Sequence, residues 1–274
     1  MASKRLFKTI GINAFAWILS IILITPLVLI FLNSLKTSQA AAEMNLALPE
    51  SIHLENYTTV IEKAKLGPAF LNSLTYSVFS VLLCTLTSSM AAFVLSRNRS
   101  KANKIIYFII VLGITMPVNF IALMKVMQML AIINTKVGII LLYASIQTPF
   151  NVFLIYSFVG KIPRDIDEAA IIDGCSPLRL FFSIIFPLLK PVLVTVMVLT
   201  FLNTWNEYIM PLYFLGNSAH WPMTLAVYNF FGMYFRDWNL ICADIFLTSL
   251  PVILVYLFGQ KYIVSGMTAG AVKG

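Results

Sequence analysis

The side chains of this chain that could do chemistry gather in two places. Thr200, Asn203, Thr204 and Glu207 recur at three- and four-residue steps, so a helix would carry them as one polar stripe. Asn206 adjoins the stripe, as do Trp205 and Tyr208. Their rings suit either the apolar face of a sugar or an anchor at headgroup depth, and the anchor is the favoured reading. Gln147, Thr148 and Asn151 flank Pro149, a breaker whose freed carbonyls need internal partners at membrane depth. Asn119, just after Pro117, is similar. Polar groups inside apolar spans are costly and mark either a passage or hydrogen bonds between helices. Gln147, Asn151, Asn203, Asn206 and Glu207 are the pathway candidates, and Asp244 reads as a structural acid. The second place holds four of the eleven acids: Asp165, Asp167, Glu168 and Asp173.

No candidate set pairs a nucleophile with a base, so no catalytic residue is expected and the chain is not read as an enzyme. Cys84, Cys175 and Cys242 lack metal-ligand spacing, and His53 and His220 lie far apart, so no metal site is expected. No G-x-x-x-x-G-K-[ST] loop occurs. Any nucleotide energy must therefore be captured by another chain.

The elements that must position these residues follow from composition. Hydrophobic residues make up 59% of the 274 positions and charged residues 11%, and the mean hydropathy is +0.89. A soluble domain carries about 25% charge, so a water-facing surface is excluded. The expectation is an all-α polytopic membrane protein, a single domain over 1–274. A span needs about 20 apolar residues. Six are expected, near 11–35, 69–95, 105–124, 137–159, 188–206 and 239–260, with a cytoplasmic loop at 161–187 and a cytoplasmic tail at 261–274. In a soluble protein the basic excess, 19 Lys and Arg against 11 acids, would suggest nucleic acid. Here it reports sidedness. With both termini cytoplasmic, thirteen of the nineteen positive residues fall inside, including Arg97, Arg99, Lys101 and Lys104 in one turn.

The loop from Lys161 to Pro187 reads as two short helices. Asp165, Asp167 and Glu168 complement the first turn of one, and Gly174 is a left-handed stop. Ser176 caps the next, with Pro177 at its first position. Ala169 and Ala170 let another backbone approach, while Ile171 and Ile172 supply apolar area. Such an elbow either links two spans or docks into a partner. Its pattern is specific. Glu168-Ala169-Ala170, Gly174, Ile184 and Phe186-Pro187 together resemble the EAA loop of ATP-binding-cassette importer permeases, with Phe186 where that family more often has Leu.

Asn33-Ser34-Leu35-Lys36-Thr37, Leu54-Glu55-Asn56-Tyr57, Phe70-Leu71-Asn72-Ser73 and Asn203-x-Trp205-Asn206-Glu207 resemble carbohydrate-uptake permeases. The end of the chain, Gly266 to Gly274, is similar to the second, six-span permease of maltose-type importers. The resemblance implies the type I importer permease fold, in the cell's inner (cytoplasmic) membrane. It also implies a second related permease, two ATPase subunits that use ATP and Mg, and an extracytoplasmic sugar-binding protein. This chain would bind no cofactor itself. Glu168, Ala169, Ala170, Asp173, Gly174, Pro177 and Pro187 would form the ATPase-coupling elbow, and Gly270 and Lys273 would reach the ATPases. The alternatives are an importer permease for a non-sugar solute, or a secondary transporter. The latter needs a coupling-ion site or repeated halves, and neither is visible.

Overall fold

The structure is a computed structural model that describes residues 2–98, 100–231 and 237–271, with side chains over 9–98, 100–231 and 237–262. The chain is helical. In order come α1 (Ala2–Ser34), α2 (Ser38–Ala42), α3 (Glu55–Lys63), α4 (Leu66–Arg97), α5 (Lys101–Leu112), α6 (Phe120–Met129) and α7 (Lys136–Val159). Then follow α8 (Asp165–Ile172), α9 (Pro177–Arg179), a π-helical segment (Leu180–Ile185), α10 (Phe186–Leu188), α11 (Lys190–Asn206), α12 (Ile209–Phe214), α13 (Met223–Ala226) and α14 (Trp238–Ala271). Many starts are written locally. Thr37, Ser100, Asn119, Thr135 and Ser176 each accept a hydrogen bond from a backbone N–H of the first turn they precede, which satisfies a donor that has no intrahelical partner.

Among the described residues, four helices are long and apolar enough to cross a membrane: Thr9–Ser34, Leu66–Arg97, Lys136–Val159 and Trp238–Tyr262. Pro177–Leu188 and Lys190–Asn206 make a fifth if taken together, bent by 78° at Leu189. Within that pair the longer helix starts at Lys190, two residues after the expected start of the span at 188–206. Pro187 and Pro191 cannot donate to the helix ladder, and the chain turns between them.

The expected span at 105–124 is corrected more deeply. It is two helices, because α5 ends at Leu112 and α6 begins at Phe120. Pro117 steers Met116 out of helical geometry, and Asn119 caps a new start, its side chain accepting from Ala122 N at 3.0 Å. The expected tail at 261–274 is also not a separate segment, since α14 runs unbroken to Ala271.

The sequence reads as one domain, but its contacts form two compact units: Met1–Pro68 with Leu225–Leu250, and Ala69–Thr224 with Pro251–Gly274. In the first unit no residue of the most apolar stretch of α1 is buried. Order there comes from a polar knot at the end of α1. Lys36, only 4% exposed, donates to Asn33 Oδ1, Asn45 O and Asn45 Oδ1 at 2.8–3.0 Å. Asn56 Nδ2 donates to the carbonyls of Ser34 and Lys36, both at 2.9 Å, and Asn239 Nδ2 donates to Asn56 Oδ1 at 2.8 Å. A buried ammonium without such acceptors would carry a large desolvation cost. Tyr57 shares a 2.6 Å hydrogen bond with Ser34 Oγ, and burial pushes its phenol above the ordinary tyrosine range.

In the second unit, α4 presents a buried face of small and polar residues that includes Ser73, Ser77, Ser80, Cys84, Ser88 and Ala92. Small side chains let neighbouring helices approach closely. Toward one end of α4, Tyr76 packs with Met127, Ile139, Leu142, Tyr143 and Phe214. Toward the other, Ala92 packs with Ile155, Val159, Ala170, Phe181, Ile185 and Val196. This second cluster seats the elbow on the helix bundle.

Candidate coupling elbow and polar face

The elbow begins at α8, whose first turn holds Asp165, Asp167 and Glu168. Asp167 and Ala170, three residues apart, share the inward face and are buried. Ala170 was expected on the docking surface; it instead packs on the elbow's own core. Glu168, Ala169, Asp173, Gly174, Pro177 and Pro187 are exposed. Ile171 and Ile172 stand out at 62% and 85% exposure, with Leu178 at 63% beyond the turn.

Gly174 closes α8 with φ +77°. Its N–H donates to Ile171 O at 3.0 Å, and Cys175 N–H reaches back to Ala170 O at 2.9 Å. This is the paired-bond helix stop that a left-handed residue permits. A Cβ built at Gly174 would meet nothing within 4 Å, so the turn faces open space. Ser176 Oγ accepts from Arg179 N at 3.4 Å with Pro177 at the first helical position. The chain then continues through the π-helical segment, a rare geometry that recurs at functional sites.

One relationship had no sequence signal. Arg97, the last residue of α4, faces Asp167 across a separation of seventy residues. Nη2 donates to Oδ1 at 3.1 Å, and Nε lies 2.6 Å from Oδ2 as a charge contact not aligned for hydrogen bonding. Nη1 donates to Ile162 O at 3.0 Å, and Arg164 Nη2 donates to Arg97 O at 3.1 Å. The side chains of the pair are 14% and 13% exposed.

The pathway candidates separate into three settings. Asn203 and Asn206 are exposed and Gln147 is half-buried; Asn203 Nδ2 donates to Gln147 Oε1 at 3.2 Å. These three residues form a polar face on α7 and α11. Asn151 is fully buried, and its Nδ2 lies 2.9 Å from Thr200 Oγ1 and 3.0 Å from Cys84 Sγ. It bonds α7 to α11 and α4, and opens onto nothing. Glu207 is a cap, its Oε1 accepting from Ile209 N at 2.8 Å and Met210 N at 3.1 Å. Trp205, expected as an interface anchor, is 1% exposed and packs against Phe70 and Phe201. Gly270 lies within α14, and Lys273 lies outside the described residues.

Among the described residues no cluster of His, Cys, Asp and Glu could hold a metal ion. Asp244 is buried in the first unit, with Oδ1 lacking a hydrogen-bond partner. His53 bonds Ser51 and Glu55, and its hydrogen bond holds the Glu55 carboxyl below the usual range.

Three comparisons bear on what such an arrangement belongs to. Residues 85–269 match the family model described as the binding-protein-dependent transport system inner membrane component. The chain is 35% identical over 271 residues to the probable starch degradation products transport system permease protein AmyC of Thermoanaerobacterium thermosulfurigenes, covering 98% of this chain and 97% of that one. It is 31% identical to the diacetylchitobiose uptake system permease protein NgcG of Streptomyces coelicolor, covering 99% and 91%. Its fold matches a chain of a bacterial ABC transporter involved in import of the acidic polysaccharide alginate, with a TM-score of 0.83 at 23% identity over 96% and 98% of the two chains. An all-helical chain with the importer permease fold, several membrane-length helices and this end-to-end likeness belongs to the family of binding-protein-dependent transport system inner membrane components.

Proposed function

We propose that this chain is the permease subunit of an ATP-driven importer of sugars or oligosaccharides. The observation that carries the reading is the exposed elbow around Gly174, set in a chain alike from end to end to permeases of starch-product and diacetylchitobiose uptake. The chain crosses the membrane six times, with both termini cytoplasmic as the distribution of Lys and Arg favours. The bent pair from Pro177 to Asn206 supplies one crossing and α5 with α6 another. A second, related permease completes the passage, two ATPases bind ATP and Mg, and an extracytoplasmic binding protein delivers the solute.

In this reading α8 and the turn after it seat in an ATPase. Ile171, Ile172 and Leu178 supply the apolar contact, while Glu168 and Asp173 supply charge. Gly270 and Lys273 extend toward the ATPase pair. Closure of the ATPases displaces the elbow, and the rigid helices α7 and α11 carry that displacement to the face formed by Gln147, Asn203 and Asn206. The result is alternating access through a two-state element.

Gly174 tests the docking. Gly174→Ala and Gly174→Leu carry the same left-handed backbone cost, on the order of 1–2 kcal/mol, but only Leu projects a long side chain into the space a partner would fill. Expected is ATPase copurification retained in the Ala variant and lost in the Leu variant, with uptake lost in parallel. Full copurification and uptake by Gly174→Leu would remove the coupling role. Uptake of radiolabelled maltodextrins, chitobiose and glycine betaine by reconstituted vesicles tests the solute class. Uptake confined to glycine betaine would replace sugar with a non-sugar solute.

A further inference from the structure

We infer that Arg97 is a positioning residue that ties the coupling elbow to α4, so that α4 moves with α8. The inference rests on the coupling reading above and adds a route to it. The polypeptide itself joins the elbow to α7 through Ile162 and to α11 through Leu189. Neither connection reaches α4, which α5, α6 and α7 separate from α8 in sequence.

Apolar packing of Ala92 and Phe93 against Ala170 and Phe181 brings α4 to the elbow, and the guanidinium adds the directional polar link. Its fork engages both carboxylate oxygens of Asp167, through the 3.1 Å Nη2 hydrogen bond and the 2.6 Å Nε contact. Nη1 holds the Ile162 carbonyl at 3.0 Å, between α7 and α8. Arg164 closes the loop by donating to the carbonyl of Arg97 itself at 3.1 Å. Three segments, α4, the 160–164 turn and α8, are thus held by one planar group in a setting largely shielded from water. Shielding matters because an exposed pair would break and reform at little cost, whereas removing one partner of a buried pair strands the other charge. Arginine suits the task better than lysine, since its rigid planar fork meets both carboxylate oxygens and the Ile162 carbonyl in one fixed geometry, where an ammonium is a compact point charge on a flexible stem.

Beyond the latch, α4 is bonded into the bundle. Cys84 Sγ lies 3.0 Å from Asn151 Nδ2 of α7, and the same amide reaches Thr200 of α11. A displacement of α8 that pulled only on α7 and α11 would shear this node. Moving α4 in step preserves it. The latch therefore lets the three helices shift as one body beneath the polar face.

The test uses the assembled importer with both permeases, the ATPases and the binding protein, reconstituted in vesicles. Asp167→Asn keeps shape and removes the charge; Arg97→Lys keeps the charge and removes the fork. Each is expected to retain ATPase copurification while sugar taken up per ATP hydrolysed falls about tenfold. The exchange Arg97→Asp with Asp167→Arg should recover that ratio to within about threefold. An unchanged ratio in Asp167→Asn overturns the latch, as does a loss of uptake that tracks lost copurification, because the pair would then only shape the docking surface. If the exchanged pair fails to accumulate, the Asn and Lys variants still decide. Gly174→Leu separates the two readings. A normal ratio in Asp167→Asn beside a failed Gly174→Leu sinks the latch alone. Normal behaviour in both sinks the docking as well.

Discussion

Asn203 on α11 donates its side-chain amide to Gln147 on α7 across 3.2 Å, in a position the single chain leaves partly open. Two carboxamides in register offer donors and acceptors that match the hydroxyls of a sugar, and neither is needed to fill a core. Replacing Asn203 or Gln147 by Ala should leave thermal unfolding in detergent nearly unchanged, within about 0.5 kcal/mol. Uptake should weaken, and the ranking of competing sugars should change. Competition uptake in vesicles measures both. Identical rates and ranking in the two variants would take these residues out of the passage.

Glu207 makes a sharper case, because its carboxylate already has an assignment. Oε1 accepts from the backbone N–H groups of Ile209 and Met210, donors that open α12 and have no partner within the helix. Glu207→Ala should cost about 1 kcal/mol, the usual loss of a cap. Glu207→Gln keeps an acceptor oxygen in the same place and should retain most of that stability together with uptake. Calorimetry and transport on the two variants separate a cap from a pathway charge. A Gln variant that is stable but inactive would return the residue to the passage.

What could be read from the sequence, and what could not, divides by range. Gly174, Ser176 and Pro177 were legible because a helix stop and the following start are made by residues within five positions of each other. The acids of α8 were legible for the same reason. Arg97 with Asp167, and Lys36 with Asn45, depend on how distant or looping segments return, and no periodicity reports that. Trp205 has the composition of an interface residue, yet Phe70 and Phe201 enclose it. Hydropathy also sums residue types without regard to backbone. The window at 105–124 is free of charge and mostly apolar, yet Pro117 and Asn119 end one helix and begin another inside it. Asn151 and Asn203 look alike as polar residues in spans; only packing makes one a buried helix bond and the other an open face.

Gly138 and Gly67 carry opposite predictions for the same substitution. Gly138 lies in the first turn of α7, where Thr135 Oγ1 accepts its N–H at 3.0 Å. A Cβ there would stand 2.0 Å from Ile132 O and 3.0 Å from Ile132 C. The obstacle is backbone, so no rotamer change relieves it, and the α6–α7 turn or the start of α7 must move. Gly138→Ala should destabilise the protein by about 2 kcal/mol or more. At Gly67, in the first turn of α4, a Cβ would meet nothing within 4 Å, and the backbone is not left-handed. Alanine there restricts the unfolded chain without a clash, and Gly67→Ala should gain about 0.5 kcal/mol. Chemical or thermal unfolding of the two variants in one detergent provides the comparison. A neutral Gly138→Ala would mean that the close approach of Ile132 to α7 is not maintained in the folded protein.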